Sequence, residues 1–158
     1  MPVMNKCPDR FTLTLALLLA ASAIPARADV ELSMSAQREV MQALADGSTG
    51  RRLEPAAQLR EGDTLLITIR YVNTGDDAAG TVTIDNPVPP GTEFQPGGMT
   101  GAAAETQISV DGGATYRSED GVYPPAVTHV RWLVHDVPAQ GSGEVFLRLK
   151  VKAKAARP

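Results

Sequence analysis

The chain has 158 residues, a formal charge of −3 at neutral pH and a single cysteine. A length of this order suits one domain, and an acidic balance argues against nucleic acid, which wants a basic face. One cysteine excludes an intramolecular disulfide, so the core must hold by burial alone.

The first element in chain order is an expected export signal over residues 1–28. Lys6 and Arg10 precede the apolar run "FTLTLALLLAASAI", and Ala26 and Ala28 occupy the small-residue positions of an A-x-A-like site before Asp29. An uncleaved anchor is the alternative, although the run is short for a membrane span. Cys7 lies ahead of the run, which excludes a lipid-acceptor role after it, and it leaves with the signal. Loss of Lys6, Arg10, Arg27 and Asp9 gives the mature chain 12 basic and 17 acidic residues, or about −5.

Residues 29–58 are expected to form N-terminal strands or a hairpin. "VELSM" places Val30, Leu32 and Met34 on one face. The stretch 36–46 reads either as a strand that turns back at "ADGSTG" or as a helix ended by Gly47, and the strand pair is preferred because its neighbours are all strands.

Residues 59–152 form the expected core. "TLLITIRYVN" alternates Leu65, Ile67, Ile69 and Tyr71 against Leu66, Thr68, Arg70 and Val72. "TVTID" continues with Val82 and Ile84, and the prolines at 87, 89 and 90 then take the chain out of the ladder. Thr106, Ile108 and Val110 predict one strand, with Ala114 and Tyr116 resuming another after Asp111-Gly112-Gly113. "HVRWLV" sets Val130, Trp132 and Val134 on the apolar parity. "EVFLRLKVK" aligns Val145, Leu147, Leu149 and Val151, with Arg148, Lys150 and Lys152 facing away. Residues 153–158 are a basic tail.

Strands at this spacing, joined by turns rich in Gly, Pro, Asn and Asp, predict an all-β antiparallel sandwich of about seven to nine strands. A closed barrel is the alternative.

The run from "LREGDTLLITIRYVNTGDDAAG" through "SVDGGATY" to "VTHVRWLVHDVPAQGSGEVFLRLKV" resembles the conserved-repeat domain of unknown function called "DUF eleven". That family includes parts of the chlamydial large cysteine-rich outer-membrane protein and many bacterial surface proteins. The marks that carry the resemblance are Gly62-Asp63, Asn73-Thr74-Gly75, Pro90-Gly91-Thr92, Trp132 and Gly141. It implies an immunoglobulin-like sandwich, a periplasmic or cell-surface site and no enzymatic activity. Two departures stand out. The domain occurs once rather than in tandem, and the cysteines of a cross-linked coat are missing.

Candidate chemistry is sparse. Ser109-x-Asp111-x-Gly113-x-Thr115-Tyr116 has the spacing of an Asp-box, a turn element of sialidase-like propellers. It reads first as a hairpin in which the two glycines take left-handed dihedrals, and otherwise as a glycan-touching tip or, least of all, a catalytic element. Asp76, Asp77, Asp85, Asn86, Asp111, Glu119 and Asp120 lie in expected loops and suit solvated turns or, alternatively, calcium, without EF-hand spacing. His129 and His135 stand about 20 Å apart along one strand, too far for one metal. No nucleophile elbow, zinc motif or nucleotide fingerprint is present, and no enzyme activity or cofactor is expected. Trp132 reads as core.

Tyr116 and Tyr123 are the only aromatic candidates for a binding platform. Lys150, Lys152 and Lys154 read as guards on a terminal edge strand, or as a contact for anionic lipid or an acidic partner. The expected role is therefore a non-catalytic exported module, structural or protein-binding, whose partner is an unidentified envelope or surface protein. Its oligomeric state is open.

Overall fold

Among the described residues, eight antiparallel strands make two sheets that face each other. The computed structural model describes residues 29–102 and 104–153, so the expected signal at 1–28 and Lys154 in the tail lie outside the described residues. In chain order the elements are β1 (Val30–Ala43), β2 (Thr49–Pro55), β3 (Thr64–Asn73), β4 (Ala79–Pro87), β5 (Thr92–Gly101), β6 (Ala104–Ser109), a 3-10 turn (Pro124–Ala126), β7 (His129–Val137) and β8 (Ser142–Val151). One sheet runs β2-β1-β3-β8-β5 and the other β4-β7-β6. This is the expected all-β sandwich. Without β2 the sheets hold four and three strands, as in an immunoglobulin constant domain, but the last strand lies in the larger sheet here and in the three-stranded one there.

The alternating residues do what period two requires. Ile67, Ile69 and Tyr71 of β3, and Val145, Leu147 and Leu149 of β8, turn to the space between the sheets. They meet Ile84 of β4, Val130, Trp132 and Val134 of β7, and Ile108 of β6. Phe94 and Met99 of β5 close the layer. Each fully buried side chain of this kind contributes roughly 1.5–3 kcal/mol, enough in sum to dispense with a disulfide. Trp132 is fully buried, as its parity demands, and among the described residues its indole N–H has no acceptor. Leu66 faces outward yet is buried, beside Gln37 and Arg148. The Arg148 guanidinium reaches across β3 to Glu39 at 2.8 Å.

The 36–46 stretch is strand as far as Ala43, and the chain then turns. β1 is fourteen residues long because it serves two partners in turn: residues 30–39 pair with β3 and residues 37–43 with β2. A helix would have left both neighbours without hydrogen bonds along that edge.

Three expectations change. β5 was not foreseen, because Pro96, Gly97 and Gly98 interrupt its pattern. The structure absorbs them as a break in register between Phe94 and Met99, with Gly97 at φ +69°. The strand expected at 114–116 does not form. β6 ends at Ser109, Val110 is exposed, and only Ile108 and Arg117 bridge across the loop. Finally, β8 is no edge strand. It lies between β3 and β5, so Lys150 and Lys152 guard no edge: Lys150 sits in mid-sheet opposite Thr64 and Glu93, and Lys152 follows the strand. The tail's position after the last strand had suggested an edge, but order in the chain does not fix order in the sheet.

Candidate functional site

The turn marks gather at the two ends of the sandwich. At one end, Gly62 at φ +80° lets its N–H reach the Val151 carbonyl at 3.0 Å, while Asp63 receives the Arg60 N–H at 2.8 Å. That bond holds the Asp63 carboxyl below the usual carboxylate range, helped by Arg38 at 3.5 Å. Gly91, at φ +81°, accepts from the Lys152 N–H at 2.9 Å. A shallow cleft of about 440 Å³ lies here, lined by Leu59, Glu61, Thr92 and Val151 among others.

The opposite end is closed by Asn73, a fully buried amide. Its Nδ2 donates to the carbonyls of Asp77 at 2.7 Å, Pro138 at 3.0 Å and Val137 at 3.3 Å, and its Oδ1 accepts from the Gly75 N–H at 3.1 Å. Its own N–H reaches the Gly141 carbonyl at 2.8 Å. Gly141 is required by space, since a Cβ there would come within 2.8 Å of the Pro138 carbonyl oxygen. Sequence reasoning missed Gln140. It holds φ +58° and donates from Nε2 to the carbonyls of Thr74 and Gly75, both at 3.1 Å. Asn73, Gly75 and Gly141 thus fasten the β3–β4 loop to the β7–β8 turn, which is a structural task.

The Asp111 turn is equally self-contained. The Ser109 hydroxyl donates to Oδ1 at 2.6 Å, the Thr115 N–H to Oδ1 at 2.9 Å and the Thr115 hydroxyl to Oδ2 at 2.6 Å. These bonds, Ser109's first, hold the Asp111 carboxyl well below the usual range. Gly112 (φ +76°) and Gly113 (φ +89°) take the left-handed dihedrals their sequence foretold, and Gly113 donates to the Ser109 hydroxyl at 2.9 Å. Both carboxylate oxygens of Asp111 are committed to its own loop.

Tyr116 and Tyr123 differ in setting. Tyr116 is half-buried beneath the Arg131 guanidinium, 3.6 Å from the ring centroid. Arg131 in turn grips Asp85 with two bonds of 2.6 and 2.8 Å, so Asp85 is also taken. Burial first, then Asp85, raises the Tyr116 phenol above its ordinary value. Tyr123 is exposed on the loop before the 3-10 turn. Among the described residues no three His, Cys, Asp or Glu side chains converge as a metal site would need.

The β1–β2 hairpin, expected from the turn at "ADGSTG", has a form that no motif marked. β3 begins opposite Glu39, so residues 40–43 and their partners 49–52 project past the sandwich as a two-stranded arm. Its tip is ordered by its own bonds. Gly47 stands at φ +81°, Ser48 donates twice to Asp46 Oδ1, at 2.6 and 2.9 Å, and Leu44 exchanges backbone bonds with Ser48 and Gly47. The base is braced by Glu54, which binds both Arg38 and Arg52. The arm nonetheless exposes Met41 (63%), Leu44 (47%) and, near its base, Leu53 (45%). Comparison with protein-family models, with curated proteins and with solved structures returned no match.

Proposed function

We propose that this chain is an exported, non-catalytic, immunoglobulin-like module that binds another envelope or surface protein through the β1–β2 arm. The observation that carries the reading is the arm itself. An isolated two-stranded ribbon is marginal in water, yet this one holds an ordered tip and presents Met41 and Leu44 to solvent. Apolar side chains on a preordered projection lose little entropy on docking, which favours a binding element. The signal-like residues 6–28 support export, and the "DUF eleven" resemblance supports an envelope setting without catalysis.

The test is in-cell cross-linking of the tagged chain, followed by identification of what is captured. One recurrent envelope protein is expected, and Met41→Ser with Leu44→Ser should remove it while the melting temperature holds. Capture that ignores the arm substitutions, or no capture above background, defeats the proposal.

A further inference from the structure

Among the described residues, β1 is paired on its β2 side only from Gln37 onward, because β2 ends at Pro55 opposite Gln37. Residues 30–36, "VELSMSA", therefore have β3 on one side and an open edge on the other. The other open edges carry the devices that discourage strand addition. β2 carries Arg51, Arg52 and Pro55; β5 breaks register around Pro96; β4 carries Asp85 and ends in Pro87; β6 is six residues long with Glu105. The 30–36 edge has no proline, no lysine, no arginine and no register break, and Glu31 is its one charge.

Its side chains are unsatisfied too. Leu32 lies opposite Tyr71 and Met34 opposite Ile69, which places both on the core-facing side of the sheet. The three-stranded sheet does not cover that margin, and Leu32 and Met34 are 53% and 65% exposed.

We infer that this edge is a self-pairing site, at which a second copy of the chain adds its own residues 30–36 antiparallel. The pattern is self-complementary when Ser33 faces Ser33 of the second copy. Leu32 then meets Met34, Val30 meets Ala36, and Met34 meets Leu32, all on the core-facing side. Glu31 meets Ser35 on the other side, so no like charges oppose each other. A shift by one residue would set apolar against polar faces, which fixes the parity of the register. The end of β2 at Pro55 limits the slot to seven residues, and the two five-stranded sheets become one continuous sheet about a two-fold axis. This site is separate from the arm, whose Met41 and Leu44 lie beyond the slot.

The test joins sedimentation with register-specific cross-linking. The full coding sequence is expressed, and the N-terminus of the purified chain is established by mass spectrometry. Across the micromolar range the chain should sediment as a dimer. Leu32→Lys with Met34→Lys should sediment as a monomer, because lysines then face each other. Leu32→Lys with Met34→Glu should restore the dimer, because each lysine faces a glutamate. Both residues are more than half exposed, so the folded spectrum should persist in every variant.

Ser33→Cys should form a disulfide-linked dimer mapped to position 33 in both copies, its Cα atoms standing roughly 4.5–5.5 Å apart. Glu31→Cys should not, since its counterpart lies roughly 14 Å away along the strand. A monomer at every concentration overturns the inference. So does a dimer indifferent to the double lysine variant, or a Ser33→Cys variant that links only to a different protein. None of these outcomes bears on capture by the arm.

Discussion

Tyr71 occupies the space that a side chain on Gly143 would need. The two residues are direct partners across β3 and β8, and a Cβ built on Gly143 would overlap the phenol oxygen and the ring carbon that bears it. A bulky aromatic ring is thus seated at the end of the core by the absence of one methyl group on the neighbouring strand.

Gly143→Ala should therefore destabilise the fold by about 1–3 kcal/mol, the ordinary cost of overpacking. Equilibrium urea denaturation checks this. Because the clash is with Tyr71, the double variant Gly143→Ala, Tyr71→Leu should lose less than the sum of its single changes, and strict additivity would show that the strain lies elsewhere.

Asn73 is expected to behave as a keystone. Asn73→Ala removes a buried donor from three carbonyls and should cost about 1–3 kcal/mol. Asn73→Asp should cost at least as much, because a carboxylate would face carbonyl oxygens. Amide exchange should quicken at Gly75 in Asn73→Ala, which lacks the oxygen that accepts its N–H.

The Gln140→Ala variant tests the same clamp from the other loop. It should destabilise more than Gln140→Gly, since glycine at φ +58° relieves backbone strain while both lose the bonds to Thr74 and Gly75. Equal effects would mean that the turn carries no strain.

Asp111 sets an acid-side dependence. Its folded carboxyl titrates below the ordinary aspartate value of about 3.9, so its contribution is fully present above that value. The contribution is lost as the pH falls through the lowered folded pKa. At neutral pH Asp111→Asn should be the less stable protein, because an amide nitrogen in the place of Oδ2 cannot accept from the Thr115 hydroxyl and the charge is lost. The difference between the two proteins should shrink as the pH drops below about 4. Denaturation midpoints measured from pH 7 to acid would show it, and a gap that stays constant would remove the charge from the explanation.

Local pattern alone was enough to say which residues face the core and where the chain must turn. Trp132, Leu147 and Ile69 follow period two because a strand has no other way to place its side chains, and Gly112 and Gly113 announce left-handed dihedrals that other residues resist. Asn73, Gly75 and Gly141 were equally visible, as turn residues without a shared purpose. Folding joined them into one clamp, and hydrogen bonds between loops 65 residues apart have no local signature.

The same limit governed the surface. Leu32 and Met34 have the parity of core residues, and alternation cannot say whether the opposite layer extends far enough to cover them. Lys150 and Lys152 lie in and just after β8 yet guard no edge, since strand order is decided by long-range pairing. Alternation names the face of a strand, whereas what covers that face, and which edges stay open, depends on how distant strands pack.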